Sequence, residues 1–407
     1  MVASANHADE ALAGYQGWRI VAVCFAVATF GWALGFYGQS VYLAELQRVH
    51  GWPATLIATA TTCFYLFGAL LVVFLSEAIK AFGPRNCLLA GVTAMATATA
   101  LLGRITEPWQ LYAVNALLAV GWAGTSLGAI TNTLGLWFDK KRGMAISLAL
   151  NGASFGGIVG VPLLVVAISG LGFANATLAA AIAIVVVLVP VILIFVSHPP
   201  ERRQPAHEVS SAPSSGIRAR ALRDAAFLTL TTAFALALFA QVGFIVHLIS
   251  YLDPLIGRER AAVAVSLLTL MAVVGRLLFS TVIDRLNQRL AAAISFLSQA
   301  CALAIVINSR NEALLFFACA LFGFSVGNLI TLPALIVQRE FEMRSFGVLV
   351  SLITAVTQVT YAFAPGIIGA LRDASGSYSL PFYGCIGVQL IATALIMMRR
   401  RKKTKPL

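Results

Sequence analysis

One arginine stands well inside an apolar stretch of this sequence. Arg276 lies eight residues before Asp284, a separation of about 12 Å along a helix. Inserting a charge at that depth in a membrane costs about 2.5 to 3.5 kcal/mol, so the side chain is expected to face a cavity or a partner. A guanidinium stays charged at physiological pH and binds a carboxylate through two hydrogen bonds. Arg276 is therefore predicted to bind an anion. In the alternative, it extends along its helix toward Asp284 and the membrane surface.

A histidine in the preceding apolar stretch is a candidate for carrying a proton. His247 lies about 9 Å by helix rise from Asp253, and histidine is the side chain that changes charge near neutral pH. The alternative is a packed, hydrogen-bonded histidine. Asp253 stands directly before Pro254, and this pair favours the end of a helix. Both His247 and Asp253 are candidates for proton coupling.

The elements that hold these residues are predicted to be membrane helices. Of the 407 residues, 59% are hydrophobic and 11% are charged, whereas soluble proteins have about 25% charged residues. This composition excludes a water-soluble enzyme. Crossing a membrane takes about 20 apolar residues, and charges, prolines and glycines divide the chain into twelve such runs. They cover residues 18–43, 54–79, 86–102, 109–138, 144–169, 174–197, 225–252, 261–283, 290–308, 313–338, 346–371 and 380–398.

The twelve runs repeat as two sets of six. The halves align at an offset of 204 residues, which pairs Lys80 with Asp284 and Gly143 with Gly347. The stretch between the halves is rich in Pro, Ser and Arg and predicts a flexible linker. The predicted domains are an N-terminal tail (1–17), a first six-helix bundle (18–197), a linker (198–224), a second six-helix bundle (225–398) and a basic tail (399–407).

Most of the 28 Lys and Arg residues fall on one side of this predicted topology. By the positive-inside rule, that side is cytoplasmic and holds both termini. The net charge of +12 is therefore mainly a topological signal, and the terminal run RRRKKTK is expected to face anionic lipid headgroups. We expect the basic residues to contact the lipid bilayer, and we expect no nucleic-acid partner.

The twelve-helix pattern resembles the major facilitator superfamily over essentially the whole chain. The run WFDKKRGMAISLALNGASFG, residues 137–156, is similar to the helix 5 signature of monocarboxylate transporters. Two further runs, HLISYLDPLIG (247–257) and VVGRLLFSTVIDR (273–285), resemble helices 7 and 8 of bacterial members of that family and of oxalate:formate exchangers. The resemblance implies an all-α membrane protein whose twelve transmembrane helices form two pseudo-symmetric six-helix bundles. It also implies carboxylate transport.

The resemblance further implies which polar residues line a substrate cavity. In this superfamily, helices 1, 4, 7 and 10 line the cavity with help from helices 5, 8 and 11. Each polar residue near a helix centre also has a structural alternative, an interhelical hydrogen bond worth about 0.6 kcal/mol. The predicted substrate-binding residues are Arg276, Tyr37, Gln241, Asn328, Gln358 and Tyr361.

Charged residues in the cytoplasmic loops are the predicted gate. Those after predicted helix 4 are expected to pair across the two halves, with a purely topological role as the alternative. The first half departs from the family pattern, because Lys80 stands where the superfamily carries an acidic residue. The predicted gating residues are Asp139, Lys140, Arg142, Asp284 and Arg285.

Glycines at four-residue spacing occur in the fifth run. Gly152, Gly156 and Gly160 predict a close approach between this helix and a neighbour. The same stretch partly resembles the glycine and proline motif of drug and proton antiporters. That resemblance keeps an efflux role as an alternative.

The sequence predicts a secondary active transporter that moves a small monocarboxylate with a proton by alternating access. A single fixed cation suits one carboxylate, because a second negative charge would stay unpaired in a low-dielectric cavity. The alternatives are organic anion exchange, proton-driven efflux of drugs or metabolites and, in another class, a non-transporting membrane sensor. We expect no enzyme activity, cofactor or metal site. The expected location is a bacterial inner membrane, and a monomer is one of the oligomeric states that the sequence allows.

Overall fold

A computed structural model describes residues 15–138, 141–196, 219–282, 286–341 and 345–398. Within these ranges the regular secondary structure is helical, with no β-strand. Twelve helices in the described residues are long and apolar enough to cross a membrane. The all-α class and the predicted number of membrane helices are therefore confirmed.

The first six membrane helices contain several local breaks. α1 consists of Gln16–Phe30, a π-helical turn Gly31–Phe36 and Gly38–His50; α2 is Ala54–Val73; α3 is Leu75–Leu102; α4 consists of Pro108–Thr125 and Leu127–Gly135; α5 consists of Arg142–Phe155, a π-helical turn Gly156–Gly160 and Val161–Leu171; α6 is Phe173–Phe195.

The remaining six helices contain fewer breaks. α7 is Ala225–Ile256; α8 is Arg258–Val282; α9 is Gln288–Asn308; α10 is Glu312–Glu340; α11 consists of Phe346–Ala362 and Ala364–Ser375; α12 is Ser379–Met398. The break in α11 precedes Pro365, whose ring leaves the helix without one amide donor.

The contacts group the chain into two compact units. The first unit comprises Met1–Phe36 and Leu70–Pro205, and the second comprises Tyr37–Ala69 and Ala206–Leu407. The sequence repeat predicts a division at the linker instead, with residues 37–69 in the first bundle. The observed grouping therefore brings Tyr37 into the unit that contains Arg276.

Several predicted helix ends differ from the structure, and the largest difference is at the start of the third run, which is predicted at Asn86 but lies at Leu75 in α3. The sequence predicts that the second run continues to Ile79, but α2 ends at Val73 and Phe74 has non-helical torsion angles. Both residues are apolar, so the break carries no signal in the sequence. The prediction that Asp253 ends its helix is wrong. α7 continues through Pro254 to Ile256, because a proline near a helix end removes only one amide donor.

In the first unit, α5 packs closely on α1 through the predicted glycines. A Cβ atom built at Gly152, Gly156 or Gly160 would lie 2.1 to 2.5 Å from atoms of residues 25–33. No side chain fits in so little space, so the two helices touch through their backbones. The predicted close approach is confirmed.

In the second unit, glycines bring α8 and α10 into backbone contact in the same way. A Cβ atom built at Gly275 would lie 1.9 Å from the carbonyl oxygen of Phe324. One built at Gly323 would lie 2.1 Å from the carbonyl oxygen of Leu268. This close packing fixes the rotation of α8 and thereby the direction of the next residue, Arg276.

A chain of three glutamines joins α7, α9 and α12 in the second unit. Gln299 Nε2 donates to Gln241 Oε1 over 2.8 Å, and Gln389 Nε2 donates to Gln299 Oε1 over 2.7 Å. All three side chains are buried. Gln241 therefore forms an interhelical hydrogen bond, the structural alternative to its predicted place in a substrate site, and we remove it from the candidate site.

Candidate functional site

Arg276 lies in the middle of the contact between α8 and α10. A Cβ atom built at Gly327 would lie 3.1 Å from the Nε of Arg276 and 2.5 Å from the carbonyl oxygen of Ala272. The arginine side chain thus occupies space that the missing side chain of Gly327 leaves free. Arg276 is half-buried, and among the described residues its Nε has no hydrogen-bond partner. Its alternative partner, Asp284, lies outside the described residues.

Tyr37 brings a hydroxyl group into the electrostatic range of this guanidinium. A side-chain hydrogen bond joins Tyr37 to Thr269, which lies two turns before Arg276 in α8. The Thr269 hydroxyl donates to the carbonyl oxygen of Val265 over 2.9 Å. Tyr37 and Thr269 are both buried. The phenol oxygen of Tyr37 is therefore oriented by α8, the helix that carries the cation.

Two more tyrosines of the second unit contact each other, and one of them lies near Tyr37. The rings of Tyr65 in α2 and Tyr361 in α11 meet edge to face, with centroids 5.8 Å apart. Tyr65 also interacts electrostatically with Tyr37. The structure thus brings together Arg276, Tyr37 and Tyr361 of the predicted set, and it adds Thr269 and Tyr65. Sequence reasoning missed these two because Thr and Tyr are tolerated at many positions in membrane helices.

Two predicted binding residues lie in helices of the same unit. Asn328 follows Gly327 in α10 and is buried; its Nδ2 donates to the carbonyl oxygen of Phe324 over 3.4 Å. Its Oδ1 has no hydrogen-bond partner within the described part of the chain. Gln358 is half-buried in α11, three residues before Tyr361. A direct role for either residue stays a prediction.

His247 is fully buried, and both of its ring nitrogens have partners. Nε2 lies 3.0 Å from the carbonyl oxygen of Pro365, and Nδ1 lies 3.1 Å from the hydroxyl of Tyr378. A carbonyl only accepts, so Nε2 carries a hydrogen. In the neutral imidazole, Nδ1 then accepts from Tyr378. His247 therefore joins α7, the break in α11 and the residue before α12.

Tyr378 is suited to pair with either form of this histidine. Burial raises the pKa of Tyr378 to about 12, so its hydroxyl stays protonated at neutral pH. A phenol hydroxyl can donate or accept, and the hydrogen bond to Nδ1 can therefore reverse when the imidazole gains a proton. The guanidinium of Arg372 lies 5.7 Å from the centroid of the Tyr378 ring, and its charge opposes that protonation.

The other proton and gate candidates are only partly described. Asp253 is half-buried in the last turn of α7, and its coupling role stays a prediction. Arg142 is exposed at the start of α5, and its guanidinium packs against Gly135. Asp139, Lys140, Asp284 and Arg285 lie outside the described residues, so the predicted gate is not tested.

Solved structures and a family model identify the fold. The chain is similar to a bacterial homologue of the human lysosomal transporter Spinster, with a TM-score of 0.78 and 12% identity over 94% of this chain and 96% of that one. The nucleoside transporter NupG gives a TM-score of 0.76 and 13% identity over 94% of this chain and 98% of that one. A family model described as Major Facilitator Superfamily matches residues 21–348 and 257–407. The chain belongs to the Major Facilitator Superfamily.

Relatives within the superfamily include transporters from fungi and mammals. MFS-type transporter 1 of Ophiocordyceps sp. (strain BCC 1869) is 25% identical over 83% of this chain and 76% of its own length. The Aspyridones efflux protein of Emericella nidulans is 23% identical over 94% of this chain and 76% of its own length. Human monocarboxylate transporter 12 is 22% identical over 96% of this chain and 83% of its own length. This chain is thus a multi-pass membrane transporter of the Major Facilitator Superfamily, which is not a family of enzymes.

We predict that Tyr37→Phe weakens substrate recognition. The substitution removes the hydroxyl beside Arg276, and a net hydrogen bond contributes about 0.5 to 1.5 kcal/mol. The KM for the transported substrate should rise about threefold to tenfold, with little change in the maximal rate. Thr269→Val should give a similar rise, and the double variant should add little to either single one. Independent, fully additive effects would contradict a shared role.

Proposed function

We propose that this transporter moves a small monocarboxylate together with a proton by alternating access. The observation that carries the proposal is the half-buried guanidinium of Arg276, whose Nε has no partner among the described residues and which lies beside the Tyr37 hydroxyl. A carboxylate accepts hydrogen bonds from donors of this kind, and charge-assisted bonds are about twice as strong as neutral ones.

The number of charges supports a monocarboxylate. Arg276 is the only Lys, Arg, Asp or Glu well inside an apolar run of the sequence. A monoanion bound to Arg276 would form a neutral pair with the guanidinium. A dianion would keep one unpaired negative charge in an environment of low dielectric constant. The rings of Tyr65 and Tyr361 add apolar surface that suits the carbon skeleton of a small acid.

The membrane potential supports coupling to a proton. An inside-negative potential opposes entry of an anion by about 2.3 kcal/mol per charge per 100 mV. A proton that travels with the anion removes this cost. We propose His247 as the proton site, because Nδ1 can gain a proton while its hydrogen bond to Tyr378 reverses rather than breaks. Asp253 remains a second candidate at the end of the same helix.

The proposal is tested by uptake of labelled acids into proteoliposomes. We expect an acid-outside gradient to drive uptake of a monocarboxylate, and a dicarboxylate of similar size to enter more slowly. Faster transport of the dicarboxylate would contradict the argument from a single cation. Uptake that requires vesicles preloaded with an organic anion would indicate exchange. No transport of any solute would favour the non-transporting sensor.

Replacing His247 by glutamine tests its role in coupling. The Nε2 of glutamine can still donate to the carbonyl oxygen of Pro365, but the side chain cannot be protonated. We expect the pH gradient to lose its stimulation of uptake, while exchange of labelled for unlabelled acid at equal pH stays within about twofold of wild type. If both activities fall together, His247 has a structural role and does not carry the coupled proton.

Proton-driven efflux is the second candidate function. It is favoured by the relatives whose names describe efflux, such as the Aspyridones efflux protein of Emericella nidulans and the Agnestins efflux protein of Paecilomyces divaricatus. Extrusion of large metabolites or dyes that stops when a protonophore is added would support it. In either case we propose a bacterial inner membrane with both termini in the cytoplasm.

A further inference from the structure

Three aromatic rings of the first unit meet at the π-helical turn of α1. Trp32 and Phe36 lie in this turn, and Trp122 lies in α4. The ring centroids of Trp32 and Trp122 are 4.9 Å apart, with 60° between the ring planes. Those of Phe36 and Trp122 are 6.5 Å apart, with 26° between the planes. We call these three residues the aromatic cluster.

Glycines fix the direction of the central ring of this cluster. A Cβ atom built at Gly35 would lie 2.8 Å from Cε3 of Trp122, so the indole packs directly on the backbone of α1. The preceding residue of α4 packs on α3, because a Cβ atom built at Gly121 would lie 2.7 Å from the backbone of Met95. Close contacts of α4 with both neighbours thus set its rotation and the direction of the Trp122 side chain.

The aromatic cluster remains partly exposed beside these tight contacts. Trp32, Phe36 and Trp122 are each half-buried, whereas Gly35 and Gly121 are buried. Consecutive residues of a helix differ by about a quarter of a turn in direction, so the rings lie next to the packed glycines on α1 and α4. A π-helical turn within an α-helix is frequently part of a functional site. The exposed ring surface is therefore a candidate for contact with a ligand.

The two helices that carry the cluster have no charged residue within their membrane spans. In α1 none stands between Arg19 and Glu45, and in α4 none stands between Glu107 and Asp139. A charged group bound at the cluster would therefore find no side chain of opposite charge in either helix, and an unpaired charge in a medium of low dielectric constant is costly. The group that suits this surface is uncharged and apolar.

The cluster adjoins the anion-binding residues along the chain. Phe36 is directly followed by Tyr37, which interacts electrostatically with Arg276. We propose that the aromatic cluster binds the ring of the substrate, so that the substrate is an aromatic monocarboxylate of the benzoate type. The inference rests on the proposed function, which assigns the carboxylate to Arg276. Each aromatic pair raises affinity about twofold to tenfold beyond the effect of its buried area, so aromatic acids bind more tightly than aliphatic acids of equal size.

Two acids that differ in aromaticity test the proposal. Benzoate and cyclohexanecarboxylate share a carboxylate and a six-membered carbon ring, but only the ring of benzoate is aromatic. The measurement is isothermal titration calorimetry of the purified transporter in detergent, at one pH at which both acids are ionised. We expect wild type to bind benzoate about tenfold more tightly than cyclohexanecarboxylate.

Leucine variants show whether the cluster causes this preference. Trp32→Leu keeps an apolar side chain but removes an aromatic face, and we expect the ratio of the two dissociation constants to fall from about ten to about two. Phe36→Leu should lower the ratio in the same direction, and it decides the question if Trp32→Leu does not fold. The matched control is Trp109→Leu, because Trp109 is 68% exposed at the start of α4. Its ratio should equal that of wild type.

The substitution Arg276→Gln separates the ring from the carboxylate. It should weaken the binding of both acids equally and leave their ratio unchanged. A wild-type ratio close to one, or a preference for benzoate that survives in both Trp32→Leu and Phe36→Leu, would overturn the role of the cluster while the carboxylate site at Arg276 stands. Tight binding of benzoate that depends on Trp32 but not on Arg276 would show that the cluster is assigned correctly and the carboxylate is not.

A pair of alcohols decides the case in which neither acid binds. The monocarboxylate proposal would then be wrong, and benzyl alcohol and cyclohexylmethanol, which have no carboxylate, test the cluster by itself. A preference for benzyl alcohol that Trp32→Leu removes and Trp109→Leu retains would support an aromatic ligand of another kind. Equal binding of the two alcohols would overturn the proposal.

Discussion

Replacing Arg276 by glutamine is expected to reduce monocarboxylate uptake at least about 30-fold. Removing one partner of a buried charge pair costs about 2 to 5 kcal/mol, because the remaining charge loses its partner without regaining water. Here the remaining charge is the carboxylate of the substrate. The measurement is initial uptake into proteoliposomes under an acid-outside gradient, with protein amount and melting temperature matched to wild type.

A second substitution at this position separates charge from geometry. Arg276→Lys keeps the positive charge but loses the planar pair of donors that matches a carboxylate. Uptake should recover in part, to about a tenth of wild type. The matched control is Arg260→Gln, which removes an exposed guanidinium paired with Glu312. Exposed pairs contribute about 0 to 1 kcal/mol, so this control should transport normally. Normal uptake by Arg276→Gln would show that the arginine is not the anion site.

Removing Glu340 is expected to destabilise the second unit by about 3 to 5 kcal/mol. Arg289 is 1% exposed, and its Nε and Nη2 each donate to Glu340 over 2.8 Å. Its Nη1 also donates to the carbonyl oxygen of Ile396 over 3.0 Å. One guanidinium thus joins the start of α9 to the ends of α10 and α12. Glu340→Ala leaves this charge buried and unpaired, and the melting temperature in detergent should fall by many degrees.

A paired replacement distinguishes lost packing from an unpaired charge. Arg289→Met combined with Glu340→Leu removes both charges while filling similar volume, and such replacements are often close to neutral. We expect the double variant to recover much of the melting temperature that Glu340→Ala loses. Glu312→Gln, at an exposed ion pair, is the control for a simple loss of charge. A double variant less stable than Glu340→Ala would contradict this account.

The sequence alone identified the twelve membrane helices, and most of their ends lie within a few residues of the prediction. α2 begins at Ala54, α7 begins at Ala225 and α12 ends at Met398, as the hydropathy and charge pattern predicts. A membrane helix is recognised from hydropathy summed over about 20 residues, so a single ambiguous position changes the prediction little. Breaks without a local signal were missed. The end of α2 at Val73 is one, because apolar residues continue on both sides of it.

The candidate site was only partly predictable. Arg276 was found because a charge in an apolar run is costly wherever it points. Gln241 was selected on the same ground of polarity, yet it joins Gln299 in a structural network. Polarity shows that a side chain needs a partner, but it does not show which side of the helix that partner occupies. Glu45 was not singled out, because it lies just beyond the predicted end of the first run, where charges are common.

The sequence by itself determined the class of this protein: a twelve-helix transporter of the Major Facilitator Superfamily with one deeply placed cation. Tertiary structure decided which polar groups meet. Tyr37 reaches Thr269, and Asp373 caps α2 at Thr55, although the partners in each pair lie far apart in the chain. These pairings depend on how each helix is rotated and on which helix lies beside it. Backbone contacts at residues such as Gly275 and Gly369 fix the rotation of each helix and its neighbour. The hydropathy of a single sequence does not show these contacts.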